Sequence, residues 1–130
     1  TPKRSAISQR FFFEAAHTLN DDIKNDGEAA GSRRVHGHTY HAEVFVRGEP
    51  KGNSGMVLDL GLIRREVEAL REKLDHHFLD EVAGLGIPTL ENLCAFIWKE
   101  LKPSVPGLAA VTVERHAIGD KCTYRPGNVG

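Results

Sequence analysis

The stretch Val35-His36-Gly37-His38-Thr39-Tyr40 constrains the fold of this chain more than any other, because it runs straight into the alternating segment Tyr40-His41-Ala42-Glu43-Val44-Phe45-Val46. That alternation reads as a strand entered from a loop. Successive strand side chains point to opposite faces, so His36 and His38 project together and His41 projects the other way. Two imidazoles on one face form a clamp for a borderline metal such as zinc. The third ligand has to come from elsewhere, and His17 in Phe13-Glu14-Ala15-Ala16-His17 is the first candidate. Adjacent antiparallel strands lie about 4.8 Å apart, so their side chains can converge on one ion. Three histidines with an open fourth position are the layout of a catalytic rather than a structural zinc site. On these residues alone, a plainer reading as separate surface or hydrogen-bonded histidines stands level with the metal reading. His41, of opposite parity, is left out of the ligand set.

The rest of the chain builds a layer around that strand. Ser5 to Ala16 alternates as a first strand ended by His17, with Ile7, Gln9, Phe11, Phe13 and Ala15 on one face. Its three consecutive phenylalanines predict cover on both faces. Thr18 to Arg34 is polar and reads as a long loop, and loops of this length in compact domains are usually functional or disordered. Thr39 to Arg47 is the second strand. Asp59 is an N-cap for a helix from about Leu60 to Leu74, whose apolar stripe is Ile63, Val67, Leu70 and Leu74. Thr89 caps a second helix to about Leu101, with Leu90, Leu93, Cys94, Ile97 and Leu101 as its stripe. Leu108 to Ala117 and Lys121 to Arg125 complete a β-β-α-α-β-β order. The fold class is α+β: a four-stranded antiparallel sheet with two helices on one face.

Composition narrows the function. The 130 residues read as one domain, 1–130, able to bury roughly two-thirds of the unfolded surface. Lys and Arg number 17 against 18 Asp and Glu, a net charge of −1. That balance gives no electrostatic case for nucleic acid or an anionic membrane as partner. Cys94 and Cys122 are too few for a disulfide framework and fit a reducing compartment. With no apolar run of about 18 residues and no signal-peptide h-region near the start, the expectation is a soluble, cytoplasmic protein.

Two further constellations bear on chemistry. Asp75-His76 is a possible relay, since a neighbouring carboxylate orients an imidazole and favours its charged form. Its plainer reading, a histidine favoured by the dipole at a helix C-terminus, stands ahead on these residues alone. Glu114, in mid-strand, is either a solvated surface glutamate or a carboxylate that grips the guanidine-like edge of a heterocycle.

Phe13-Glu14-Ala15-Ala16-His17, His36-Gly37-His38-Thr39-Tyr40, Gly55-Met56-Val57-Leu58-Asp59, Leu74-Asp75-His76, Pro88-Thr89-Leu90-Glu91-Asn92 and Val113-Glu114 occur in that order. Together they resemble the 6-pyruvoyltetrahydropterin synthase / 6-carboxytetrahydropterin synthase family over nearly the whole chain. The short length and the segment from Pro88 to Trp98 are similar to the bacterial 6-carboxytetrahydropterin synthases of the queuosine pathway. The resemblance implies the tunnelling fold, with subunits closing into a barrel as a homohexamer, a dimer of trimers. It implies zinc on His17, His36 and His38, the pterin ring held by Glu114, and a proton relay of Asp75 and His76 at a subunit boundary. The implied substrate is 7,8-dihydroneopterin triphosphate. It would be converted to 6-carboxy-5,6,7,8-tetrahydropterin with loss of acetaldehyde and triphosphate, the metal acting as a Lewis acid on the side-chain hydroxyls. Arg33 and Arg34 are either triphosphate contacts or ordinary surface arginines.

One position departs from the family. A catalytic cysteine is expected four residues before the first histidine of the pair, and Ser32 stands there. A thiol can become a thiolate beside a metal or cation, whereas a serine hydroxyl supplies little base at neutral pH. The serine is then an introduced substitution, or Glu28 or Asp26 takes over as base, or the protein binds zinc and a pterin without turnover. The alternative reactions are formation of 6-pyruvoyltetrahydropterin and side-chain cleavage to 6-hydroxymethyl-dihydropterin.

Overall fold

A computed structural model of the protein describes residues 4–18 and 35–127. Strands β1 (Ser5–Thr18), β2 (Val35–Gly48), β3 (Leu108–Arg115) and β4 (Asp120–Tyr124) form one antiparallel sheet in the order β1-β2-β3-β4. Helix α1 (Leu60–Leu74) lies over β1, and helix α2 (Leu90–Leu101) lies over β3 and β4. Both pack on the same sheet face, as the alternation predicts. The core between the layers is made by Phe13, Tyr40 and Val44 from β1 and β2, Ile63 and Leu74 from α1, Leu93 and Ile97 from α2, and Val111 from β3.

Both helices start where their caps predict. The Asp59 carboxylate accepts from the Gly61 N–H at 2.9 Å, and the Thr89 hydroxyl accepts from the Asn92 N–H at 3.1 Å. Cys94 is buried and points its thiol at the Cys122 carbonyl, consistent with a core role. No helix among the described residues is long and apolar enough to cross a membrane.

The first two strands are longer than the sequence suggests. Their ladder runs unbroken from Ser5↔Gly48 to Thr18↔Val35, so His17, His36 and His38 are all paired within the sheet, near its end. The cause is cooperative pairing: once the hairpin arms are in register, polar residues at their far ends still gain ladder hydrogen bonds. The expected loop loses Thr18 to β1, and its residues 19–34 lie outside those described. Phe12 also departs from expectation. With both helices on the other face, it is 51% exposed, resting against His41 and the Arg71 guanidinium. Strand β3 stops at Arg115 because the next residues turn, the Gly119 N–H bonding back to the Arg115 carbonyl at 2.9 Å.

Beyond α1 the chain does something periodicity does not reveal. Asp75 to Phe78 runs along the free edge of β1. The His76 N–H donates to the Glu14 carbonyl at 2.6 Å, the Ala16 N–H donates to the His77 carbonyl at 3.2 Å, and Ala16 bridges Phe78 in parallel. A one-turn 3-10 helix at Leu79–Glu81 follows and drives Leu79 fully into the core.

Candidate active site

The three histidines are gathered by register. His17 stands directly opposite His36, and His38 stands opposite Ala15, which puts all three on the helix-facing side of the sheet. The rings of His17 and His38 lie 5.0 Å apart. His17 is the most confined, at 2% exposure. Its Nδ1 lies 3.1 Å from the Thr18 carbonyl, which can only accept, so Nδ1 carries the proton and Nε2 keeps its lone pair. That Nε2 is buried with no hydrogen-bond partner among the described residues. A buried lone pair without a donor is costly, and it is what a metal ligand looks like before its ion is bound. Burial and the neighbouring His17 hold His38 below the ordinary imidazole range, which favours the neutral, ligating form. As they stand, no three His, Cys, Asp or Glu side chains among the described residues already form a metal-holding group. A three-histidine donor set in which the buried Nε2 of His17 has no partner among the described residues fits zinc.

The end of β1 is held from the 3-10 turn. The Asp80 carboxylate accepts from the Thr18 N–H at 2.9 Å and from its hydroxyl at 2.5 Å. This tether, which sequence reading does not single out, fixes the carbonyl that orients His17.

The carboxylate–imidazole pair is made within one chain. His76 Nδ1 lies 2.9 Å from Asp75 Oδ2, and Arg71 Nη2 is 3.2 Å from the same oxygen. The other oxygen accepts the Glu14 N–H at 2.8 Å. That backbone bond, followed by the His76 bond and the Arg71 charge, holds the Asp75 carboxyl below its usual range. His76 has φ of 59°, a left-handed conformation unusual outside glycine, and its side chain is largely exposed. The pair does sit at the end of α1, with Asp75 as its C-cap donating its N–H to the Arg71 carbonyl at 2.7 Å, and it is tied to β1 as well. His76 and His38 line one cavity of about 470 Å³, walled by Glu14, Ala16, Thr39 and Phe78.

Glu114 stands opposite His41 and so faces away from the helices and from His38. It lines a separate cavity of about 360 Å³ with Arg10, Phe12, His41, Glu43 and His116. His116 Nε2 lies 3.0 Å from Glu114 Oε1 and holds the carboxyl below its ordinary range. His116 has no role in the sequence analysis above, and its Glu-x-His spacing from Glu114 is the available signal. Asp26, Glu28, Ser32, Arg33 and Arg34 lie outside the described residues.

Comparison with known proteins agrees with this architecture. The family model of 6-pyruvoyl tetrahydropterin synthase matches residues 6–127. A 6-carboxy-5,6,7,8-tetrahydropterin synthase of Synechocystis is 34% identical over 113 residues, covering 82% of this chain and 83% of that protein. A dihydroneopterin monophosphate aldolase of Pyrococcus furiosus is 30% identical over 104 residues, covering 80% of this chain and 81% of that protein. The solved structure of Caenorhabditis elegans 6-pyruvoyl tetrahydropterin synthase superposes with a TM-score of 0.82 at 27% identity, over 97% of this chain and 98% of that one. With a family model spanning nearly its whole length and the same sheet-and-helix layer beneath it, the chain belongs to the 6-pyruvoyl tetrahydropterin synthase family.

Proposed function

We propose that the protein is a zinc-dependent lyase that converts 7,8-dihydroneopterin triphosphate to 6-carboxy-5,6,7,8-tetrahydropterin, releasing acetaldehyde and triphosphate for queuosine synthesis. The observation that carries this reading is the cavity shared by His38, from the histidine trio, and His76, from the carboxylate–imidazole pair. It sets candidate metal-binding and proton-transfer groups side by side.

In this reading His17, His36 and His38 hold the zinc ion, which supplies Lewis acidity toward the substrate's side-chain hydroxyls. Asp75 accepts from His76 Nδ1 and orients the ring, leaving Nε2 to deliver or take a proton in the cavity. Glu114, ionised at neutral pH, accepts the N–H donors of the pterin ring. Because Glu114 and His38 occupy opposite sheet faces, a pterin reaching both is completed by a second copy of the chain. The edge of the sheet at β4 and the uncovered face bearing Phe12 support such assembly into a homohexamer.

Ser32 favours a second reading alongside the first. With Glu28 or Asp26 as base in place of a thiolate, side-chain cleavage to 6-hydroxymethyl-dihydropterin follows, and the similarity to an aldolase supports it. The test is mass-spectrometric product analysis of zinc-loaded protein given 7,8-dihydroneopterin triphosphate, with Ser32→Cys alongside. A 6-carboxy product from the parent chain is expected. A 6-hydroxymethyl or 6-pyruvoyl product would move the protein to that reaction. Turnover by Ser32→Cys alone would make the parent a pterin-binding protein, and turnover by neither would remove the lyase reading.

A further inference from the structure

The sheet face away from the helices carries, around Glu114, two histidines to which the reaction above gives no role. His41 of β2 and His116, just past β3, stack with ring centroids 3.8 Å apart and planes 5° from parallel. His116 Nε2 reaches Glu114 Oε1 at 3.0 Å, and a carboxylate oxygen only accepts, so His116 is the donor. Phe12 flanks His41 on the β1 side, with ring centroids 6.2 Å apart. Arg10 and Glu43 close the far side of the cavity, paired with each other at 3.4 Å.

A strand glutamate on an open face has three rotatable bonds and no reason to hold its carboxylate in one plane. Here one oxygen is tied to a ring, and that ring is pinned by a second ring from the neighbouring strand. We propose that His116, braced by His41, is a positioning residue that fixes the plane of the Glu114 carboxylate for the paired N–H donors of an aminopyrimidinone edge. The inference rests on Glu114 being the pterin-holding residue. Each carboxylate oxygen has two lone pairs, so the bond from His116 leaves one on Oε1 and both on Oε2 for the ligand. Bidentate recognition depends on both oxygens lying in the plane of the two donors. Fixing that plane before binding removes an ordering cost from the ligand's association. Neither histidine touches the reacting side chain of the substrate, so the effect belongs to binding and not to the chemical step.

The experiment measures Kd for neopterin, which carries the same ring edge without phosphate, using the zinc-loaded full chain. Glu114→Gln, His116→Ala, His116→Gln, His41→Ala and His41→Phe are compared with the parent. His116→Ala is expected to weaken binding about tenfold, the size of one lost hydrogen bond to a charged group. His116→Gln, which restores an N–H donor, is expected to recover most of the loss. His41→Phe keeps the stacking ring and binds like the parent, whereas His41→Ala weakens binding several-fold. In steady-state kinetics the His116→Ala loss is expected in KM, with kcat held. If His116→Ala binds neopterin like the parent while Glu114→Gln does not, the positioning role is wrong and the role of Glu114 survives. If Glu114→Gln also binds normally, the role of Glu114 itself fails and the inference with it. A His116→Gln variant as weak as His116→Ala would assign the effect to packing and overturn the donor role.

Discussion

His17 shows how a single residue records its task. It is buried beside His38, its Nδ1 is committed to the Thr18 carbonyl, and its Nε2 is left without a hydrogen-bond partner among the described residues. His76 records a different one, held by Asp75 in a backbone conformation that few non-glycine residues adopt. Replacing His76 with Ala removes the proposed proton-transfer group without touching the core. We expect kcat to fall by about 10²- to 10⁴-fold with little change in thermal stability. Asp75 gives a pH prediction. Its folded carboxyl titrates below the ordinary value of 3.8, so it contributes stability above that value and loses the contribution as pH falls through the folded titration. Asp75→Asn is therefore expected to flatten the acid limb of the stability curve measured by thermal unfolding between about pH 2 and 5. Gly107 is constrained by space as well as by conformation. Its φ is 80°, and an added Cβ would lie 2.6 Å from the Arg47 carbonyl oxygen, next to the irregularity in the β2–β3 pairing. Gly107→Ala should cost about 1–3 kcal/mol in denaturant unfolding.

Among the elements, the helices were the most legible. Their caps and stripes are local signals, and Thr89→Ala should cost about 1 kcal/mol by chemical denaturation, as loss of one capping bond. The sheet was legible in parity but not in extent. Alternation put His36 and His38 together and His41 apart, and both hold. The strands nevertheless run several residues further, because ladder bonds between β1 and β2 depend on the partner and leave no trace in either segment alone. The segment after α1 was least legible. Its hydrogen bonds to the β1 edge join residues about sixty apart, such as Glu14 with Asp75, and no periodicity announces them. The link between Glu114 and His116 was hidden differently, since its residue types suit an ordinary solvated strand face. Sequence and resemblance together gave the roles expected of Asp75, His76 and Glu114; only the fold shows that one cavity is lined by His76 and another by Glu114.

For the whole molecule, the proposed function makes one copy incomplete. Its helices cover one sheet face, while the other exposes Phe12 and carries Glu114 away from the histidines. The account therefore expects sedimentation velocity to find a closed oligomer, and an active monomer would contradict it. The proposed zinc centre of His17, His36 and His38 would be built by the pairing of β1 with β2. The most direct measurement is metal content of the purified protein by plasma mass spectrometry, taken with zinc affinity for His17→Ala, His36→Ala and His38→Ala. The account predicts one zinc per chain in the parent and a loss of affinity of at least about tenfold in each variant. A parent without stoichiometric zinc after loading, or one whose zinc affinity is unchanged by all three substitutions, would contradict it.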